Sequence, residues 1–184
     1  MFKKIFLLLS LALLVLIAII LFNTFRVESL QPQVTIATAI TPTDSAVRHL
    51  QQAIRFKTIS VSGILPADTA AFKTYHTFLQ RAYPLIFAKL HLQKVNELGL
   101  LFTWTGKSST LKPAVLMAHQ DVVPVEKGTE NIWSEPPFDG VAKDGYIYGR
   151  GTCDDKGSMI ALLEATEMLL KQGVQPQRTL YLVF

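Results

Sequence analysis

Hydrophobic positions fall into blocks of different period along the chain. Ile5 to Phe22 is a single apolar run in which only Ser10 is polar. As a helix, such a run spans about 27 Å, close to the hydrocarbon thickness of a bilayer. Lys3, Lys4 and the amino terminus precede it, and Asn23 follows. Positive charge stays on the cytoplasmic side, so residues 1–22 read as a transmembrane signal anchor, with the rest of the chain extracytoplasmic (periplasmic, lumenal or extracellular). The competing reading is a cleaved signal peptide. Its apolar core usually spans about 7–15 residues, and the small-residue triplet Ala37-Thr38-Ala39 lies well beyond the end of this run. Residues 23–43 contain Pro32 and Pro42 and no helical period, and read as a linker.

From residue 44 the period changes. Thr43 and Asp44 can cap a helix from about Ser45 to Phe56, with Val47, Leu50, Ala53 and Ile54 on one face. A second helix is predicted from about Ala67 to Ala82 by Phe72, Tyr75, Phe78, Leu79 and Ala82, and Pro84 lies just beyond it. His49 and His76 fall within these helices and read as surface or packing residues. Leu92 to Thr105 is β-prone, with a turn at Gly106 to Ser109. Ala114 to Ala118 is continuously apolar, the pattern of a strand buried on both faces. Asp144-Gly145 signals a hairpin between Val141-Ala142 and Tyr146-Ile147-Tyr148. A last helix is predicted from about Ser158 to Gln172, with Met159, Leu162, Leu163, Leu169 and Leu170 inward and Glu167–Lys171 as an i,i+4 pair. Gly173 suits its C-terminal cap, and Thr179 to Phe184 reads as another buried strand. Strand, helix, strand in this order predicts an α/β domain over 44–184, with a mainly parallel central sheet flanked by helices.

Composition narrows the choice. Hydrophobic residues make up 49% of the 184, an excess that the first block explains, since the remainder has an ordinary soluble composition. A net charge of +4 without a basic stripe gives no footprint for nucleic acid. One cysteine excludes an internal disulfide and a multi-cysteine zinc module.

Two clusters carry candidate chemistry. His119-Gln120-Asp121 directly follows the apolar run at 114–118, at the carboxyl end of a predicted strand, where functional residues of open α/β sheets gather. A neutral imidazole is a good zinc ligand, and a carboxylate two residues away can fix its tautomer. Alone, this triplet is a weak signal and reads more readily as a local surface hydrogen bond. The second cluster is Gly149-Arg150-Gly151-Thr152-Cys153-Asp154-Asp155-Lys156-Gly157. Its carboxylates can be plain capping groups with Lys156 compensating. It lacks the third glycine of a dinucleotide fingerprint, and its aspartates would repel phosphate. Cys153 paired with His119 would be a nucleophile without a third, orienting residue.

Together the clusters resemble the zinc-dependent exopeptidase and amidohydrolase family of carboxypeptidase S, aminoacylase and glutamate carboxypeptidase. The resemblance lies in His119-Gln120-Asp121-Val122-Val123-Pro124, then Trp133-Ser134-Glu135-Pro136-Pro137-Phe138, then the run from Asp144 to Gly157. Phe56-Lys57-Thr58-Ile59-Ser60 and the N-terminal apolar segment also look like the carboxypeptidase S and N-fatty-acyl-amino-acid synthase/hydrolase group. The resemblance implies a two-zinc centre in which His119 binds one ion, Asp154 bridges both and Asp121 orients His119. It implies a cis peptide after Asp154, and Trp133, Pro136, Pro137 and Phe138 as a loop wall. It also implies hydrolysis of peptides or N-acyl amino acids that carry a free carboxylate. The expected acidic motif with the general-base glutamate would begin after Phe184, together with further ligands and a dimerising domain. The 184 residues are thus expected to be the N-terminal part of a longer enzyme, inactive alone. The alternative is a non-enzymatic, membrane-tethered module that keeps the fold.

Overall fold

A computed structural model describes residues 1–28, 41–60 and 69–184. The chain forms two units, Met1–Ile40 and Thr41–Phe184. In the first, helix α1 (Phe2–Arg26) is continuous and buries none of its side chains. With a mean hydropathy of 3.4 over its most apolar window, it is long and apolar enough to cross a membrane. The predicted linker therefore starts later than residue 23, because Asn23 to Arg26 complete the last turn of α1. The rest of that linker, including Ala37-Thr38-Ala39, lies mostly outside the described residues.

The second unit begins with α2 (Asp44–Arg55). The Thr43 hydroxyl caps it by accepting from the Ala46 amide at 3.2 Å. Helix α3 (Thr69–Ala82) buries Phe72, Tyr75, His76 and Leu79. Its predicted start at Ala67 lies outside the described residues. Pro84 does not merely end α3. It occupies the first turn of a further short helix, α4 (Pro84–Lys89), where a missing amide costs nothing. The Glu167 carboxylate accepts from the Leu85 and Ile86 amides at 2.9 and 3.0 Å, capping α4. This corrects the expected Glu167–Lys171 pair, because two orphan amides near a helix start hold a carboxylate better than an exposed lysine does.

Strands β1 (His91–Val95) and β2 (Gly99–Trp104) form a hairpin turning through Asn96 and Glu97, both at positive φ. Strand β3 (Ala114–Met117) precedes a long loop. Strands β4 (Val141–Lys143) and β5 (Tyr146–Tyr148) form the second hairpin around Asp144-Gly145. Helix α5 (Lys156–Lys171) leads to β6 (Leu180–Val183). Gly173, at φ 73°, ends α5. Its amide bonds the Leu170 carbonyl at 3.1 Å, and the Val174 amide bonds the Leu169 carbonyl at 2.9 Å.

The sheet order is β1-β2-β6-β3. Only β3 and β6 run parallel, and the β1–β2 and β2–β6 pairs are antiparallel. The sheet is therefore mixed rather than mainly parallel. A three-residue turn can join only antiparallel strands, while the connection through α5 is long enough for a parallel return. β3 is also not buried on both faces, since Val115 is 53% and Met117 71% exposed. Among the described residues it is an edge strand with no layer closed over it. The core lies between the sheet (Leu100, Phe102, Leu182), α5 (Met159, Leu163) and the helices α2 to α4.

Candidate metal centre

The loop after β3 is pinned from its inner side. Gln120 is buried, and its carbonyl oxygen accepts from His76 Nε2 at 2.7 Å while its amide donates to the Leu98 carbonyl at 2.6 Å. Burial is the main cause that lowers the His76 pKa, so this ring is neutral and its proton sits on Nε2. The Thr58 hydroxyl donates to the Gln120 carbonyl at 2.6 Å, and Ile59 pairs in parallel with Val122. Neighbouring side chains in an extended segment face opposite sides, so an inward Gln120 leaves His119 and Asp121 outward.

His119 Nδ1 lies 3.0 Å from the Asp121 carbonyl and 3.2 Å from Asp121 Oδ1. Its Nε2 lies 2.8 Å from Asp154 Oδ1. The Ser60 hydroxyl donates to the other Asp121 oxygen, Oδ2. The two clusters thus bring His119, Asp121 and Asp154 into contact.

Asp154 is delivered by the loop from Gly149 to α5. Gly151 has φ 88°, and a Cβ there would lie 2.6 Å from Val122, so the two loops meet only because the position is glycine. The Asp154–Asp155 peptide is cis. Asp155 stands at the N-cap of α5 but makes no capping bond, and its carboxylate instead accepts from the His119 amide at 3.4 Å. Lys156 does not compensate these aspartates. It is buried under Tyr75 and donates to the Ala53 and Phe56 carbonyls at 2.9 and 2.6 Å, closing the C-terminal end of α2. Burial pushes its pKa down to about 7, opposed by the charge of Asp121. Cys153 is an exposed free thiol, and both His119 nitrogens already face Asp121 and Asp154. The loop wall stands at Arg150, whose guanidinium lies over Trp133 at 4.9 Å and whose amide donates to the Pro137 carbonyl.

The chemistry of the donors fits a cation between His119 and Asp154. Both ring nitrogens of His119 face oxygens, Nδ1 towards Asp121 and Nε2 towards Asp154. Burial lowers its pKa, but Asp154 and Asp121 outweigh this and raise it. A metal ion held here would take Nε2 of His119 and Oδ1 of Asp154 as ligands. Tetrahedral ligands at about 2.0–2.2 Å stand roughly 3.3 Å apart, so 2.8 Å must widen by about 0.5 Å. The His119 and Asp154 side chains are 50% and 89% exposed, which leaves room for that. Among the described residues no three His, Cys, Asp or Glu side chains converge on one point. His119 and Asp154 therefore supply only two ligands.

Residues 115–184 match Peptidase family M20/M25/M40. The chain carries a peptidase M20 domain. It is 42% identical over 144 residues to carboxypeptidase S of Saccharomyces cerevisiae, covering 74% of this chain and 25% of that protein. It is 39% identical over 175 residues to the probable carboxypeptidase S-like 2 of Dictyostelium discoideum, covering 88% and 33%. The human N-fatty-acyl-amino acid synthase/hydrolase PM20D1 is 38% identical over 135 residues, covering 72% and 26%. The chain thus spans a quarter to a third of the length of these curated relatives. The M20 family metallo-carboxypeptidase Sso-CP2 from Sulfolobus solfataricus superposes with a TM-score of 0.56 at 22% identity, over 77% of this chain and 30% of that one. Human carnosine dipeptidase 1 gives 0.58 at 19%, over 76% and 31%. Both superpositions show a shared fold over the part of those chains that is covered.

Sequence reasoning missed Ser60, Gln120, His76 and Lys156. A lysine directly before a glycine at a helix start reads as solvated, and nothing local marks the carbonyls that bury it. For Ser60 the only signal was its place in the Phe56–Ser60 motif.

Proposed function

We propose that the protein bearing these residues is a metal-dependent amide hydrolase of the carboxypeptidase S type, acting on peptides or N-acyl amino acids with a free carboxylate. The observation that carries this is the convergence of His119 Nε2 and Asp154 Oδ1 at 2.8 Å, with Nδ1 held by Asp121. In this reading His119 and Asp154 would both serve as ligands of a zinc centre. Bound zinc supplies an acidified water, its pKa brought towards about 7, and polarises the scissile carbonyl. The residues prepare for that. Asp121 keeps the proton of His119 on Nδ1, so Nε2 presents a lone pair, and the loop from Gly149 fixes the Asp154 carboxylate opposite it.

The remaining ligands and a general-base glutamate belong, in this proposal, to the part of the relatives that the chain does not match. Residues 1–184 alone are then expected to bind metal weakly and not to hydrolyse. A homodimer would likewise form through that part. Helix α1 is proposed as an uncleaved anchor, with the domain extracytoplasmic. The test is hydrolysis of peptide and N-acyl-amino-acid substrates by the full-length protein, compared with His119→Ala and Asp154→Ala. Both variants should lose more than the about 10–100-fold typical of residues that only support ligands. Unchanged activity in both would overturn the assignment.

A further inference from the structure

The segment Phe56-Lys57-Thr58-Ile59-Ser60 has no ligand in it, yet it touches both loops that supply donors. On one side the Phe56 carbonyl accepts from Lys156 Nζ at 2.6 Å, two residues after Asp154. On the other, residues 58–60 lie beside 120–122. The Val122 amide donates to the Thr58 carbonyl at 2.9 Å, the Ser60 amide donates to the Val122 carbonyl at 3.1 Å, and the Thr58 hydroxyl donates to the Gln120 carbonyl. These backbone bonds fix where the Ser60 hydroxyl stands, and it donates to Asp121 Oδ2.

The consequence follows from the freedom of a carboxylate. The terminal torsion of an aspartate is broad and nearly two-fold, so one hydrogen bond leaves it free to turn. Asp121 Oδ1 meets His119 Nδ1 at 3.2 Å. With Oδ2 held as well, the carboxylate plane is set from two ends. The imidazole that leans on it is then set too.

We propose that Ser60 is a positioning residue of the metal centre: its hydroxyl fixes the Asp121 carboxylate, which holds the His119 ring with Nε2 towards Asp154. This rests on the reading of His119 and Asp154 as metal ligands. Ser60 touches neither metal nor substrate, and acts through Asp121. The bland alternative is a half-buried hydroxyl that merely tidies the loop. It would alter folding stability without altering metal affinity.

The experiment measures zinc affinity of the full-length protein by competition with a chromophoric chelator, alongside kcat and KM. Ser60→Ala should weaken zinc binding by about tenfold, the low end for residues that support ligands, because Ser60 acts one step further out. Its kcat should fall with KM unchanged, and the melting temperature of the zinc-free protein should stay put. Ser60→Thr, which keeps the hydroxyl, should restore affinity. In an Asp121→Asn background, Ser60→Ala should add nothing. Should the alanine variant fail to fold, Ser60→Cys, similar in size but a weaker donor, should show the same direction of loss. Wild-type zinc affinity in Ser60→Ala, or an undiminished effect in the Asp121→Asn background, would overturn the proposal. His119→Ala separates the two levels. If it loses zinc while Ser60→Ala keeps it, Ser60 alone is misassigned. If it keeps zinc, the metal centre is misassigned and Ser60 falls with it.

Discussion

His76 supports the site from within the core, and its protonation state is set there. Burial lowers its pKa below the usual 6.5, so the folded protein holds it neutral while the unfolded chain takes up a proton first. Below about pH 6.5 the unfolded state therefore binds more protons, and stability falls as pH falls, by at most about 1.4 kcal/mol per pH unit from this group. His76→Gln removes the titration. Its urea unfolding should show a shallower loss between pH 7 and pH 5 than the wild type, and an identical slope would contradict the account. Lys156 tests the other support. Lys156→Ala empties a fully buried site and strands two carbonyls at the end of α2. It should cost about 2–4 kcal/mol in chemical denaturation. A change below about 0.5 kcal/mol would mean the lysine is solvated. At this scale His119, Asp121 and Asp154 stood out in the sequence because their two motifs together resemble one family. Lys156 and Ser60 did not, because their partners lie about 100 and 61 positions away in the chain.

Elements were legible where a local rule decides them. The Thr43 cap, the Asp144-Gly145 hairpin and the Gly173 stop each follow from a few adjacent residues. Gly173→Ala should cost about 1 kcal/mol, because residue 173 sits at φ 73° in open space, where strain rather than a clash is added. Thermal unfolding reads this directly, and an unchanged or raised melting temperature would show that α5 ends differently. α4 escaped the sequence because six residues are too few for a helical period, and its cap comes from Glu167 in a distant helix. Strand direction escaped it as well. β2 and β6 are each apolar enough for either pairing, and their antiparallel contact is decided by the tertiary arrangement. The exposed Val115 and Met117 show the same limit, since periodicity reports apolarity but not whether anything covers it.

For the whole molecule, the hydrophobic excess of the chain resolves into one bare helix and one ordinary domain. If α1 is an uncleaved anchor, the full-length protein should stay with membranes through an alkaline carbonate wash, and a variant lacking residues 1–26 should not. A mature N-terminus beyond Phe22 would contradict this. The central claim is that His119 and Asp154 hold metal. Elemental analysis of the purified full-length protein tests it most directly. The account predicts about two zinc ions per chain in the wild type, and clearly less in both His119→Ala and Asp154→Ala. Equal zinc in all three proteins would contradict it.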